Sequence, residues 1–261
     1  MPDWLYALPD AGIMGAVVAL LVCVDLLAGQ LRQHIARNWL PPASSGALLD
    51  SYRLVVSLTA LVLAFSLLQA EANFREVNEI VAREADTFDL AARQLERSDL
   101  PDATQARARL VAYGQAIVTE EWPQLVHGHG TPHINGLYAT LLRSAMALEP
   151  SSPRQQTARA DLLRSLDLLG DLRDRRVAAA KVRLPTSFWV AIGTMALICT
   201  LLAAGASTTV AHRLATLLPA AALGVLIALV IIIDAPFKGQ TAVRPDELQQ
   251  ALAQLGPSDP P

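Results

Sequence analysis

The sequence predicts an all-α integral membrane protein: four transmembrane helices with a soluble helical insert between the second and the third. Three observations support this fold class. Apolar residues make up 52% of the 261 residues and charged residues only 17%, a more apolar and less charged composition than that of an average soluble domain. Four segments reach the roughly 17–25 apolar residues that a membrane helix requires. No stretch of useful length alternates with the period of two that is typical of a strand.

The first predicted span covers residues 11–29. No secretory signal is expected there, because the first basic residue is Arg32 and acidic residues occupy the place of a positive n-region. Asp25 is the only ionisable residue well inside a predicted span, and an intramembrane acid is costly enough to suggest a function. The alternative is that the Asp25 side chain, near the end of its span, reaches the membrane–water interface. The segment 39–46, WLPPASSG, is typical of a turn or interfacial connector.

The segment 47–99 contains neither glycine nor proline, so it predicts one uninterrupted helix. Such a helix of about 50 residues would be ~75 Å long at a rise of 1.5 Å per residue. Its first part holds the second predicted span, residues 54–70. From Glu71 onward it is charged and amphipathic, with apolar residues three and four positions apart.

Two neighbouring stripes on the second span are candidates for lining a pore. Thr59, Ser66, Gln69 and Asn73, with Val62 between them, share one helix face. They form either a pore-facing or interhelical polar ladder, or ordinary packing in which hydroxyls bond carbonyls of their own helix. Leu58, Leu61 and Phe65 form the apolar stripe, which faces lipid or makes a hydrophobic constriction. The candidate residues are Leu58, Thr59, Leu61, Val62, Phe65, Ser66, Gln69 and Asn73.

The soluble insert, residues 71–187, is predicted to be all-helical. After the long helix, a second helix should run from Pro101–Asp102 to about Trp122 and end at Pro123. A third covers about 134–148, and a fourth carries regularly spaced leucines at 162–172. The domain division is therefore 1–70 for the first helix pair, 71–187 for the helical domain, 188–233 for the second helix pair, and 234–261 for a turn and tail.

Several classes of function find no support in the residues. His127, His129 and His133 could bind a metal, but they lie in a glycine-rich loop without an acidic partner nearby in sequence, so no metal and no cofactor are predicted. No nucleophile–base pair or paired carboxylates stand out, and we predict that the protein is not an enzyme. A net charge of −3 offers no basic field for nucleic acid.

The third and fourth predicted spans cover residues 188–204 and 214–233. Asp234 follows the fourth span, where a carboxylate opposes the helix dipole, so it should have a partner such as an arginine or backbone amides. Pro236 and Gly239 then force a turn. If the insert and both termini share one side, about nine Lys and Arg residues lie near membrane ends on that side and about four on the other. This bias favours the cytoplasm for that side, although the short loops taken alone reverse it.

Motifs spread along the chain resemble a known family. Glu121, Trp122 and Pro123, followed by Asp234, Pro236, Phe237 and Gly239, occur in an order similar to that of the bacterial bestrophin-like membrane family. The resemblance covers about residues 50–252. It implies similarity in layout to bestrophins, which are pentameric ion channels with four membrane helices per subunit, a neck lined by the second of them, and a Pro-Phe-Gly turn after the last. The segment 240–243, QTAV, departs from the acidic calcium-binding run of eukaryotic bestrophins.

The sequence thus predicts a bestrophin-like, homo-oligomeric ion channel of a bacterial inner membrane. Its partners would be the lipid bilayer, further copies of itself (five by resemblance) and permeant ions. The insert and both termini would be cytoplasmic. The alternative is a non-conducting membrane scaffold or sensor whose helical domain binds a partner protein.

Overall fold

A computed structural model describes residues 3–35, 45–206 and 210–255, and all regular secondary structure in these ranges is helical. A short 3-10 helix, Asp3–Ala7, comes first, and a π-helical segment, Ile117–Glu121, joins two helices of the insert. The α-helices are α1 (Asp10–Ile35), α2 (Ser45–Arg97), α3 (Ala103–Ala116), α4 (Trp122–Leu125), α5 (Pro132–Met146), α6 (Pro153–Ala179), α7 (Thr186–Ala206), α8 (Val210–Ile233) and α9 (Asp246–Gln254). Most of the connector at 39–46 falls outside the described residues.

Four of these helices contain segments long and apolar enough to cross a membrane. The segments are Asp10–Leu31, Gly46–Arg97, Thr186–Gly205 and Ala211–Ile233, and they include the four segments predicted from hydropathy. The uninterrupted helix that the lack of glycine and proline predicts is present as α2, which is 53 residues long. The unbroken helix and the four apolar helical segments are confirmed, and the topology of four membrane spans stays a prediction.

The chain divides into two compact units. The first comprises Met1–Phe74 and Arg183–Ala242. In it α1 packs most extensively on α8. A Cβ added to Gly224 of α8 would lie only 2.9 Å from the Cα of Val18 in α1. The two backbones therefore approach as closely as a glycine permits, as small residues allow where lipid removes the hydrophobic drive for helices to associate.

The second unit comprises Arg75–Val182 and Val243–Pro261. Its core gathers one face of α2 with residues of α3, α5, α6 and α9. Phe88 of α2 is fully buried, and a Cβ on Gly114 of α3 would lie 2.6 Å from its ring, so only glycine fits there. Leu248 of α9 joins the same core, and Arg107 donates to the carbonyl of Leu255 at 2.8 Å.

The end of the second insert helix differs from the prediction. Pro123 does not end it, because a π-helical segment and then α4 carry the helix on to Leu125. In a regular α-helix Pro123 would clash with the carbonyl of Thr119 and leave it without a donor. In the structure the amide of Trp122 donates to the carbonyl of Ile117, five residues back, and this wider turn accommodates the proline.

Candidate functional site

The residues of the polar stripe of α2 differ in solvent exposure. Thr59 and Ser66 are 1% and 0% exposed. Their hydroxyls donate to the carbonyls of Val55 at 2.7 Å and Val62 at 2.9 Å, one turn earlier in the same helix. Each hydroxyl hydrogen is thus bonded within its own helix, and the side chain can pack against other helices of the unit.

The remaining members of that stripe lie nearer the aqueous half of α2. Gln69 Nε2 donates to Asn73 Oδ1 at 3.1 Å, which is an ordinary pair at i, i+4. Gln69 is exposed, whereas Asn73 and Val62 are half-buried. The eight candidates therefore do not share one environment within a single protomer.

The apolar stripe of α2 lies on an exposed face. Leu58, Leu61 and Phe65 are 47%, 53% and 60% exposed, and Leu54 and Leu68 extend the same surface at 64% and 61%. In one protomer these side chains have few protein neighbours. In a membrane they must meet lipid, another subunit or a pore.

Asp25 lies inside the first unit, not at its surface. It is 7% exposed, and the hydroxyl of Thr216 in α8 is within 3.4 Å of its carboxylate. Tyr52 of α2 donates its hydroxyl hydrogen to the carbonyl of Thr216 at 2.7 Å. The acid thus belongs to a small polar group between apolar helices, which the sequence could not reveal because its members lie up to 191 residues apart.

Glu121, the first residue of the motif at 121–123, lies at the centre of a buried charge cluster in the second unit. It is 0% exposed and accepts hydrogen bonds from the guanidinium groups of Arg173 and Arg176. Arg176, also 0% exposed, donates to Glu84 at 2.6 and 3.1 Å. We call these four residues, Glu84, Glu121, Arg173 and Arg176, the charge cluster.

The charge cluster links several elements. It brings together α2, the π-helical segment and α6, and Arg173 reaches α5 through a 2.6 Å hydrogen bond to Asn135. The amide of Thr131, in the loop before α5, donates to Glu121 at 3.2 Å. Two carboxylates and two guanidinium groups give a formal charge of zero, the condition under which buried charges can be tolerated.

The electrostatics of Glu121 follow from this geometry. Burial alone would raise the pKa of its carboxyl, but the hydrogen bond from Arg173 and the charges of Arg176 and Arg173 outweigh burial, so the pKa lies below its ordinary value. Burial likewise disfavours the charged form of Arg176, but the carboxylate of Glu84 outweighs it and raises the pKa. Both shifts favour the charged forms of Glu121 and Arg176 at neutral pH.

The other residues of this motif are placed around the cluster. The guanidinium carbon of Arg176 lies 4.9 Å from the centre of the Trp122 ring, a cation–π distance. Trp122 Nε1 also donates to the carbonyl of Val243 at 3.4 Å, which ties the C-terminal segment to this site. Pro123 is exposed and shapes the π-helical turn.

The second motif, at 234–239, forms a turn in the first unit. The carboxylate of Asp234 accepts the backbone amide of Leu184 at 2.7 Å, one of the two kinds of partner expected for it. Phe237 is 4% exposed, and Gly239 has φ +82°, a conformation that favours glycine. Pro236 is also buried.

The three histidines are exposed and do not converge. His133 Nδ1 lies 2.7 Å from a carboxylate oxygen of Glu120, and this pair sits on the surface. Within the part of the chain that the structure describes, no group of three His, Cys, Asp or Glu residues is placed to hold a metal.

Sequence reasoning missed Glu84, Arg173 and Arg176. A signal was present, because Glu84 lies between Val81 and Phe88 on the apolar face of α2. Arg173 and Arg176 likewise continue the leucine spacing of α6. Charges of opposite sign on two apolar faces predict a buried ion pair.

The chain is similar to proteins of a known family. The sequence model of the Bestrophin-like domain matches residues 51–248, which run from α2 into α9. The chain belongs to this bestrophin-like family. Together with four helices suited to a bilayer, the family identifies a membrane protein. No curated protein sequence is similar enough to this chain to count as a match.

Solved structures show the same fold. A bacterial Bestrophin homolog from Klebsiella pneumoniae, phased by Zn-SAD, superposes with a TM-score of 0.68 at 15% identity over 94% of this chain and 98% of that one. A mutant of that homolog gives a TM-score of 0.68 at 14% identity over 93% and 97%. A further membrane protein gives 0.67 at 13% identity over 93% and 97%. At these identities the likeness concerns the fold.

Proposed function

We propose that this bestrophin-like protein is a subunit of a homo-oligomeric ion channel in a bacterial inner membrane, with a pore lined by α2. The observation that carries the proposal is the division of the α2 span into two faces. Its hydroxyl-bearing face is packed inside the protomer, and its Leu58–Leu61–Phe65 face is left exposed. Bestrophins, which this family resembles, line their neck with the second membrane helix.

The exposed face has the chemistry of a hydrophobic constriction. Rings of leucine and phenylalanine contributed by several copies would narrow an axial path and gate it by dewetting. Thr59 and Ser66 are excluded from this role in the proposal, because they are buried and their hydroxyl hydrogens are bonded to backbone carbonyls. The pore-lining candidates are thereby reduced to the apolar stripe, with Gln69 at the aqueous end.

The proposal includes a topology of four spans with both termini and the helical domain in the cytoplasm, and five subunits by resemblance. The excess of Lys and Arg near the membrane ends on that side supports the orientation. Reporter fusions after Gln105 and at the C-terminus should give cytoplasmic signals, and a periplasmic signal at either would reject this orientation.

Phe65→Ala tests the pore directly. Removing the largest side chain of the stripe widens the constriction and weakens dewetting, so ion flux per channel should rise several-fold in planar bilayers or liposomes. Wild-type protein should conduct, and the variant should conduct more at equal protein content and an unchanged elution volume.

Leu201→Ala in α7 is the matched control. Leu201 is 62% exposed on another apolar helix, so its truncation removes a comparable outward-facing side chain without touching α2. Its flux should equal that of the wild type. If folded oligomer conducts no ion, and no axial path runs through it, the channel proposal fails and the scaffold or sensor alternative takes its place. That alternative predicts a cytosolic protein bound to the helical domain.

A further inference from the structure

The Asp25 carboxylate is a buried acid without a basic partner. It lies in the apolar part of α1 and is 7% exposed. Among the residues that the structure describes, no Lys or Arg forms an ion pair with it, and its one hydrogen-bonding neighbour, Thr216 Oγ1, is 3.4 Å away. A charge in this position is costly unless something neutralises it.

A cavity next to this carboxylate offers space for an ion. Its volume is ≈ 20 Å³. That is room for one water molecule or one small ion. Polar residues from three of the four apolar helices line it: Asp25 of α1, Tyr52 and Thr59 of α2, and Cys199 and Thr200 of α7. The lining residues from α8 are apolar.

The hydroxyl groups of three lining residues already donate their hydrogens to backbone carbonyls. Thr59 donates its hydrogen to Val55 at 2.7 Å, and Thr200 donates to the carbonyl of Ala196 at 3.0 Å. Tyr52 donates to the carbonyl of Thr216 at 2.7 Å. A hydroxyl has one hydrogen to donate, so these three oxygens act toward the cavity as acceptors, as the carboxylate does.

We propose that this cavity binds a small monovalent metal cation, with the Asp25 carboxylate as its anionic ligand and the hydroxyl oxygens of Tyr52, Thr59 and Thr200 as neutral ligands. One positive charge balances the carboxylate, and oxygen atoms that act as acceptors suit a hard cation. A divalent ion would leave an excess positive charge in an apolar surrounding. The site lies inside one protomer and does not depend on the proposed pore.

A second cavity of ≈ 30 Å³ adjoins the same carboxylate on the side of Gly29 and Gln30. Arg213 and Thr216 also line it. Arg213 is an exposed positive charge that lines a cavity shared with Asp25, so it competes with a bound cation for the carboxylate. Arg213→Gln should therefore leave cation affinity unchanged or raise it.

The test uses the purified full-length protein in detergent. Sodium chloride is titrated against choline chloride at constant ionic strength and pH 8, and thermal unfolding is followed at each concentration. A cation that binds only the folded state raises Tm saturably. We expect Tm to rise with Na⁺, equilibrium dialysis with ²²Na⁺ to show about one ion per protomer, and Asp25→Asn to abolish both. Thr200→Val, which keeps the side-chain shape, should weaken Na⁺ affinity several-fold.

Asp50→Asn is the matched control. Asp50 is an exposed acid on α2, paired with Arg53 at 3.2 Å, and its variant should keep the full response to Na⁺. An absent Na⁺ response in folded wild-type protein, or an equal response in Asp25→Asn, overturns the proposal. Stabilisation by acid with no effect of Na⁺ also overturns it, because the occupant is then a proton. If Asp25→Asn does not fold, an unchanged Na⁺ affinity in Thr200→Val decides against the site.

Failure of this site and failure of the channel proposal are distinguishable. Phe65→Ala alters only the exposed face of α2, so it should bind ²²Na⁺ like the wild type whatever it does to ion flux. Loss of Na⁺ binding in Phe65→Ala would show that the bound ion lies on the exposed face and not in the Asp25 cavity.

Discussion

Arg176→Met is expected to destabilise the helical unit by about 3–5 kcal/mol, the usual result of removing one partner from a buried ion pair. Arg176 is fully buried and donates to Glu84 at 2.6 and 3.1 Å and to Glu121 at 2.9 Å. Glu121 keeps Arg173 after the change. Glu84, 2% exposed, loses the only ion-pair partner that the structure gives it, so an uncompensated carboxylate remains in the core.

The magnitude follows from which interactions disappear. Three hydrogen bonds between charged groups are removed, and such bonds contribute about 1.5–3 kcal/mol each before the saved cost of burying the guanidinium is subtracted. Methionine is unbranched and fills most of the volume beside Trp122, so cavity formation adds little. The unpaired Glu84 carboxylate is therefore the main source of the loss.

Thermal unfolding of the purified protein in detergent, followed by circular dichroism, measures the effect. For a unit of this size 1 kcal/mol corresponds to roughly 3 °C, so Tm should fall by about 10–15 °C. Arg175→Met is the control, because Arg175 is the neighbouring arginine of α6 and pairs with Asp171 at 2.9 Å on the surface. Its side chain is 64% exposed, and its replacement should cost about 1 kcal/mol or less.

A double variant makes the test decisive. Glu84→Gln combined with Arg176→Met leaves the neutral Glu121–Arg173 pair and no buried unpaired charge. It should be more stable than Arg176→Met alone. The reasoning is refuted if Arg176→Met costs no more than Arg175→Met, or if the two changes at positions 84 and 176 simply add.

Two further predictions concern stability. Gly224→Ala should lower the free energy of unfolding by about 1–3 kcal/mol, because its new Cβ would lie 2.9 Å from the Cα of Val18. Gly193→Ala is the control, because a Cβ there meets nothing within 4 Å, and it should leave Tm unchanged in the same thermal assay. Equal effects of the two variants would contradict the close packing of α8 on α1. The pKa of Glu121 is depressed in the folded state, so its contribution is present above the ordinary glutamate pKa of about 4.3 and is lost as pH falls through the folded pKa. Tm measured from pH 7 to pH 3 should therefore fall below about pH 4 more steeply in the wild type than in Glu121→Gln, and parallel curves would show that Glu121 is not the linked group.

Much of the helix inventory could be predicted because its causes are local. A lack of glycine and proline from 47 to 99 is sufficient for one long helix, and α2 runs without a break. Hydropathy over windows of about 20 residues identified the four apolar segments for the same reason. Pro123 shows the limit of local rules, because a π-helical turn accommodates the ring where the proline rule predicts an end.

The candidate sites depended on contacts between distant residues. The sequence showed a polar and an apolar stripe on α2 but could not decide which one is buried, since hydroxyls that bond carbonyls of their own helix can pack against other helices as leucine and phenylalanine do. Packing between helices determines which stripe is buried. Thr59 Oγ1 lies 3.6 Å from Sγ of Cys199, 140 residues later, so the polar stripe faces α7 and the Phe65 stripe is exposed.

By itself the sequence determined the helical fold, the apolar segments and the family, because hydropathy, helix breakers and motif order are read along one chain. Only the tertiary structure paired Glu84 with Arg176, 92 residues apart, and placed Asp25 beside hydroxyls of other helices. A charge can remain in a core or an apolar bundle only where partners from other elements converge on it, and that convergence is a property of packing in three dimensions.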